Sequence, residues 1–162
     1  MSAQISSSRI AATTPEQLAW VALLRAHAAT TRRLSAELVS EHDLTLNDYE
    51  VLLHLARAPA RRLRRVDLAK SILLTPSGIT RLLEGLERAG YVERASCASD
   101  ARVTYAKLTD GGYGKLREAS STHLDGIRSH FAERFSAQEL ETLGDLLSRL
   151  QLDAAEGEDC AP

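Results

Sequence analysis

The sequence is poor in aromatic residues, in cysteine and in long apolar runs. Phe, Trp and Tyr together make up 4% of its 162 residues. A core must therefore come from Leu, Ala, Val and Ile, and Leu and Ala lose little on entering a helix. No apolar run approaches the roughly 20 residues that a membrane-spanning helix requires. Residues 1–13 are Ser- and Ala-rich, lack the apolar stretch of a secretory signal, and read as disordered; the protein is expected in the cytoplasm. Two cysteines, Cys97 and Cys160, are too few for a disulfide scaffold and fit a reducing compartment. A glycine-rich phosphate loop and a nucleophile elbow are both missing, and the carboxylates sit mostly on polar helix faces. Neither an enzyme nor a cofactor is expected.

Charge is informative in its distribution. The net charge is -2, yet the segment from Arg57 to Lys107 holds eleven basic residues against five acids. That segment is +6 and the remainder -8. A basic centre between acidic flanks is the electrostatic footprint of a DNA-binding lobe on an acidic body.

The pattern predicts a mainly α (α+β) chain. Thr14-Pro15-Glu16-Gln17 opens a helix, with Thr as N-cap and Pro at the first helical position; it runs to about His42. Thr45 starts a second helix that Pro59 ends. Residues 61–65 read as a basic connector, Val66 to Ile72 as a short third helix, and Thr75-Pro76 as the start of a fourth that Gly90 closes. Tyr91 to Arg94 and Arg102 to Leu108 read as the two strands of a hairpin. Thr109 caps a fifth helix through about Phe135. Ser136 to Glu139 forms a capping box for a sixth, whose Leu140, Leu143, Leu147 and Leu150 make a pairing stripe. The tail, 154–162, is acidic and reads as disordered.

Ala69 and Ile79, ten residues apart, have the spacing of the close contact in a helix-turn-helix; Leu73 stands where a turn glycine is usual. A fourth helix entering a major groove would meet bases and phosphates with Pro76, Ser77, Thr80 and Arg81. The hairpin after it, with Arg94, Asp100 and Arg102, would be a two-stranded wing. Asp100-Ala101-Arg102 is followed by five residues and then Leu108-Thr109-Asp110-Gly111-Gly112. This pattern, with Thr75 to Leu83 and Leu86 to Arg94, resembles the MarR family of bacterial transcriptional regulators. The resemblance covers about residues 15 to 152. It implies a homodimer, with a winged lobe over about 45–109 and dimerisation helices over about 15–42 and 110–153, the whole domain spanning 14–153. It also makes Arg102 the wing arginine and Asp100 its partner. Such an arginine enters narrow, electronegative minor grooves.

Other residues suggest chemistry less strongly. Glu41-His42, His123 and His130 invite a metal reading, but His123 and His130 are seven apart rather than the i, i+4 pair that chelates from one helix face. No metal is expected. Cys97 falls at the wing tip, where Arg94 and Arg102 would lower its pKa; an incidental thiol is the simpler reading. Trp20 and His27, on the first helix, are candidates to line a crevice for a small aromatic anion, the class of effector that the resemblance implies. The expected function is therefore a sequence-specific regulator of double-stranded DNA, a repressor released by an aromatic or phenolic ligand. Two alternatives stand beside it: a DNA-binding regulator or architectural protein without a ligand, and a winged-helix module that binds protein instead.

Overall fold

The computed structural model describes residues 14–72, 74–96 and 103–150. The expectations for the two chain ends, for Leu73, and for Cys97, Asp100, Arg102 and Cys160 lie outside the described residues.

These residues form six helices and one three-stranded sheet. Helix α1 (Pro15–His42) opens on a capping box, in which the Thr14 hydroxyl accepts from the Gln17 amide and the Gln17 side chain accepts from the Thr14 amide. Helix α2 (Leu46–Arg57) has the same device, with Asp48 reaching back to Thr45. A 3-10 turn, Pro59–Arg61, leads to strand β1 (Arg62–Arg64) and helix α3 (Arg65–Ser71). Helix α4 (Pro76–Arg88), strands β2 (Val92–Ser96) and β3 (Thr104–Leu108), and helices α5 (Asp110–His130) and α6 (Ala137–Ser148) follow. The core lies between α2, α4 and the sheet, around the fully buried Val51, Leu52, Leu55, Leu68 and Leu83.

Two local readings are corrected. Residues 61–65 are no plain connector: Arg62 to Arg64 pair antiparallel with Lys107 to Tyr105, so the sheet runs β1-β3-β2 and the wing hairpin carries a third strand. The charge of Arg-Leu-Arg hid a short edge strand, a setting where exposed basic side chains are at home. Helix α5 stops at His130 rather than Phe135. Phe131 leaves helical geometry (φ -126°, ψ -64°), a 3-10 turn spans Ala132–Arg134, and the Phe131 and Phe135 rings meet at 5.4 Å.

The turn before β1 is strained. Ala60 and Arg61 both have left-handed backbone, φ 50° and 54°, a region disfavoured for residues with a Cβ. Arg61 holds the turn through Asp110 at 3.1 Å and through the Tyr113 ring at 4.3 Å, both near the start of α5. Relief of the Ala60 strain is partly offset by a more flexible unfolded chain. Ala60→Gly is therefore expected to raise the free energy of unfolding by about 0.5 kcal/mol. A midpoint lowered in urea titration would show the turn to be unstrained.

Candidate nucleic-acid interface

Helices α3 and α4 form the helix-turn-helix. Ala69 and Ile79 are both buried, 6% and 3% exposed, at the crossing their spacing predicted. The turn closes by a bond from the Leu74 amide to the Ala69 carbonyl. Thr75 caps α4, its hydroxyl accepting from the Gly78 amide at 3.1 Å and lying 3.2 Å from the Ser77 hydroxyl. Pro76 takes the first helical position, where a missing amide proton costs nothing. Ile79, Leu83 and Leu86 anchor α4 in the core. Ser77 and Arg81, one turn apart, are exposed together, and Thr80 beside them is half-buried.

The helix ends in paired capping bonds. The Gly90 amide donates to the Glu87 carbonyl and the Tyr91 amide to that of Leu86, with Gly90 at φ 76°. This is a Schellman motif with glycine at its left-handed position. The chain then turns directly into β2, which sets the hairpin beside α4.

Arg94 and Glu87 join the hairpin to the helix. Arg94 Nε donates to both Glu87 carboxylate oxygens, at 3.0 and 2.8 Å. Arg94, a candidate DNA contact by sequence, is thus engaged with α4. Lys107 and Glu93, cross-strand partners on β3 and β2, add an ion pair at 2.8 Å.

The Leu-Thr-x-x-Gly pattern is explained by the junction between hairpin and α5. The Thr109 hydroxyl donates to the Gly90 carbonyl at 2.7 Å and accepts from the Gly112 amide at 3.0 Å. A Cβ on Gly112 would lie 2.1 Å from the Tyr91 carbonyl oxygen. Only glycine allows that approach.

The family model of the MarR family matches residues 42–103, from the end of α1 to the residue before β3. The HTH-type transcriptional repressor YetL of Bacillus subtilis is 34% identical over 113 residues, 67% of each chain. The chain belongs to the MarR family. Its structure is similar to AbsC, a MarR family transcriptional regulator from Streptomyces coelicolor, with a TM-score of 0.78, 31% identity, and 86% of this chain and 93% of that one covered. Sco3205, from the same organism and solved in complex with DNA, gives a TM-score of 0.78 and 33% identity over 85% of this chain and 90% of that one. This MarR-family protein is a DNA-binding transcriptional regulator with a winged-helix fold, not an enzyme.

The ligand candidates lie apart from this face. Trp20 is 59% exposed on α1, and His27, two turns on, is exposed as well. Sequence reasoning missed Glu50, which interacts electrostatically with His27 and with His54. Glu50 on α2 is half-buried, and burial raises its pKa above the ordinary carboxylate value against the opposing charges of His54 and His27. A half-buried acid coupled to two imidazoles makes the surroundings of His27 more polar than the sequence implied; a lone Glu on an amphipathic helix carried no signal of it.

The remaining histidines sit on helix seams. His42 Nε2 lies 2.9 Å from the Thr122 hydroxyl, which donates to Glu41. His130 pairs with Glu37 at 2.6 Å. Among the described residues, no three His, Cys, Asp or Glu side chains are grouped to hold a metal. His123 stacks on Tyr49 at 4.2 Å, where α2 meets α5, and its buried Nδ1 has no hydrogen-bond partner.

Burial lowers the His123 pKa below 6.5. The unfolded chain therefore takes up a proton at this site before the folded one does. Its contribution to stability is present above the unfolded pKa and is lost as pH falls below it. Glu50, raised by burial, acts with the opposite sign at the acid end of the same window. His123→Phe is expected to flatten the decline in melting temperature between about pH 7 and pH 5. Parallel melting curves for the variant and the wild type would remove His123 from the pH response.

Proposed function

We propose that this protein is a homodimeric repressor that binds a pseudo-palindromic operator and is released by a small aromatic anion. The observation that carries the reading is the exposed pair Ser77 and Arg81 on the N-terminal half of α4, in a +6 segment beside a hairpin. Small hydroxyls permit close approach to a groove, and arginine takes guanine by two hydrogen bonds. Asp100 and Arg102 are assigned to the wing tip on the family pattern. A relative named as a repressor supports the sign of regulation. A winged module that binds only protein would expose apolar rather than arginine-rich surface on this lobe.

Dimer formation is supported by what the single chain leaves uncovered. Leu18, Val21 and Leu24 on α1, and Leu146, Leu147 and Leu150 in and after α6, are all exposed. None of the residues of α6 is buried. A twofold pair of lobes calls for half-sites about 10 base pairs apart, centre to centre. The ligand reading rests on Trp20 and His27, both exposed on α1, with Glu50 of α2 electrostatically coupled to His27. A regulator without a ligand is the alternative.

The test is selection of bound duplexes from a random pool, repeated with a panel of phenolic acids. The expected result is an inverted repeat, with a ligand that lowers operator affinity and is itself bound less tightly by the operator complex, by the same factor. A stable monomer in sedimentation at micromolar concentration would remove the dimer. A ligand that quenches Trp20 but leaves operator affinity unchanged would leave a crevice without regulation.

A further inference from the structure

The start of α5 is built from residues that make a poor helix. Asp110-Gly111-Gly112-Tyr113-Gly114 carries three glycines in five positions, and glycine loses more conformational freedom on folding than any other residue. Gly112 is required where it stands, by the close approach of the Tyr91 carbonyl. Gly111 and Gly114 are not. A Cβ on Gly111 would make ordinary contacts at 3.6 Å, and one on Gly114 would meet nothing within 4 Å. The stretch that joins the winged lobe to the long helix is therefore soft unless a group outside it holds it.

Arg61 is that group. Asp110 and Tyr113, the two residues of the stretch with side chains, are three positions apart and share a helix face. The Arg61 guanidinium donates to the Asp110 carboxylate at 3.1 Å and lies over the Tyr113 ring at 4.3 Å. One cation thus spans the glycine pair between them. Arg61 sits in the turn ahead of β1, its amide bonded to the Ala58 carbonyl at 3.0 Å, and β1 pairs with β3 of the wing sheet. The clasp therefore ties the sheet to α5 at a second place, apart from the Thr109–Gly90 bond. Farther along, α5 is fastened to α1, where Thr122 donates to Glu41 at 2.8 Å and His130 pairs with Glu37 at 2.6 Å.

We propose that Arg61 is a positioning residue for operator binding: its clasp on Asp110 and Tyr113 stiffens the start of α5 and so fixes the half-site spacing that the dimer accepts. The inference rests on the homodimer and paired half-sites proposed above. With the clasp closed, the wing sheet and α5 move as one body, and the lobe takes one angle to the dimer helices. With it open, the glycine-rich turn bends and a wider range of spacings is tolerated. Arg61 acts through α5 rather than on DNA.

Two measurements on the full chain test this. Amide hydrogen exchange of the DNA-free protein reads the opening of residues 112–114, which Arg61→Ala is expected to speed by about threefold or more. Affinity is then compared between the selected operator and versions with half-sites one base pair closer or farther apart. Wild type should discriminate among them, and Arg61→Ala should lose about threefold or more of that discrimination. Asp110→Asn and Tyr113→Leu should each lose part of it. Adding Gly114→Ala to Arg61→Ala should restore it, because alanine stiffens the turn without the clasp. If Arg61→Ala does not fold, Tyr113→Leu carries both measurements. Unchanged exchange in both Arg61→Ala and Tyr113→Leu would overturn the clasp. Faster exchange with unchanged discrimination would overturn its role in operator binding. An equal loss on every spacing, with a lower salt dependence and no repair by Gly114→Ala, would put Arg61 on a phosphate and overturn the proposal. A wild type that binds all spacings alike would remove the paired half-sites, and this inference with them, a failure visible before any variant is made.

Discussion

Gly112→Ala is expected to destabilise the protein by about 3 kcal/mol or more, at the upper end for overpacking. The new methyl group would meet the Tyr91 carbonyl oxygen at 2.1 Å, its carbon at 2.9 Å, and Leu108 Cδ1 at 2.7 Å. The leucine tip can move. The carbonyl cannot do so freely, because it already accepts from the Thr109 amide at 3.1 Å and belongs to the turn that ends α4. Relief requires α5 to shift away from the α4–β2 junction, which also pulls Thr109 from Gly90. DNA binding should fall with stability, since this junction sets the hairpin against α5. Gly111→Ala is the internal control. Its Cβ would sit 3.6 Å from its nearest neighbours, ordinary contact, and alanine is the better helix former by about 1 kcal/mol. It should be neutral or stabilising. Urea denaturation of both variants decides the matter; a Gly112→Ala midpoint equal to that of Gly111→Ala would mean the junction is softer than its geometry.

The helices were legible because their ends are marked by chemistry. Thr14, Thr45, Thr75, Thr109 and Ser136 each cap the helix they were read to open, four of them just ahead of long periodic stretches. Strand β1 was not legible. Its three residues are held by pairing to Tyr105, Ala106 and Lys107 more than forty positions along the chain, and no local pattern encodes a partner at that distance. The end of α5 was missed for a related reason: the Phe131–Phe135 ring contact stabilises a bend that helical spacing alone does not announce. In the candidate interface, residue types revealed which side chains carry charge but not what each one touches. Arg81 and Arg94 looked equivalent in sequence, yet one is exposed on α4 and the other grips Glu87. The Arg61–Asp110–Tyr113 clasp and the Glu50–His27–His54 group were invisible for the same reason, since both depend on elements brought together only by folding.

That difference separates two losses of DNA binding that would otherwise look alike. Arg81→Ala removes an exposed cation from the helix face that is to enter the major groove. If it reads guanine, the cost is about 1–3 kcal/mol at the preferred sequence and little elsewhere, so discrimination falls while nonspecific affinity holds. If it meets phosphate, affinity falls on all sequences and the salt dependence drops by about one counterion. Arg94→Ala works through Glu87. It frees the hairpin from α4 and leaves a partly buried carboxylate, 21% exposed, without its cation. Both specific and nonspecific binding should then weaken, and Glu87→Gln should reproduce most of the loss. The double variant should be little worse than either single one, because the two side chains act as a unit. Binding curves on cognate and scrambled duplexes, at two salt concentrations, give all the quantities required. If Arg94→Ala and Glu87→Gln were additive, Arg94 would be touching DNA in its own right and the brace between helix and wing would be incidental.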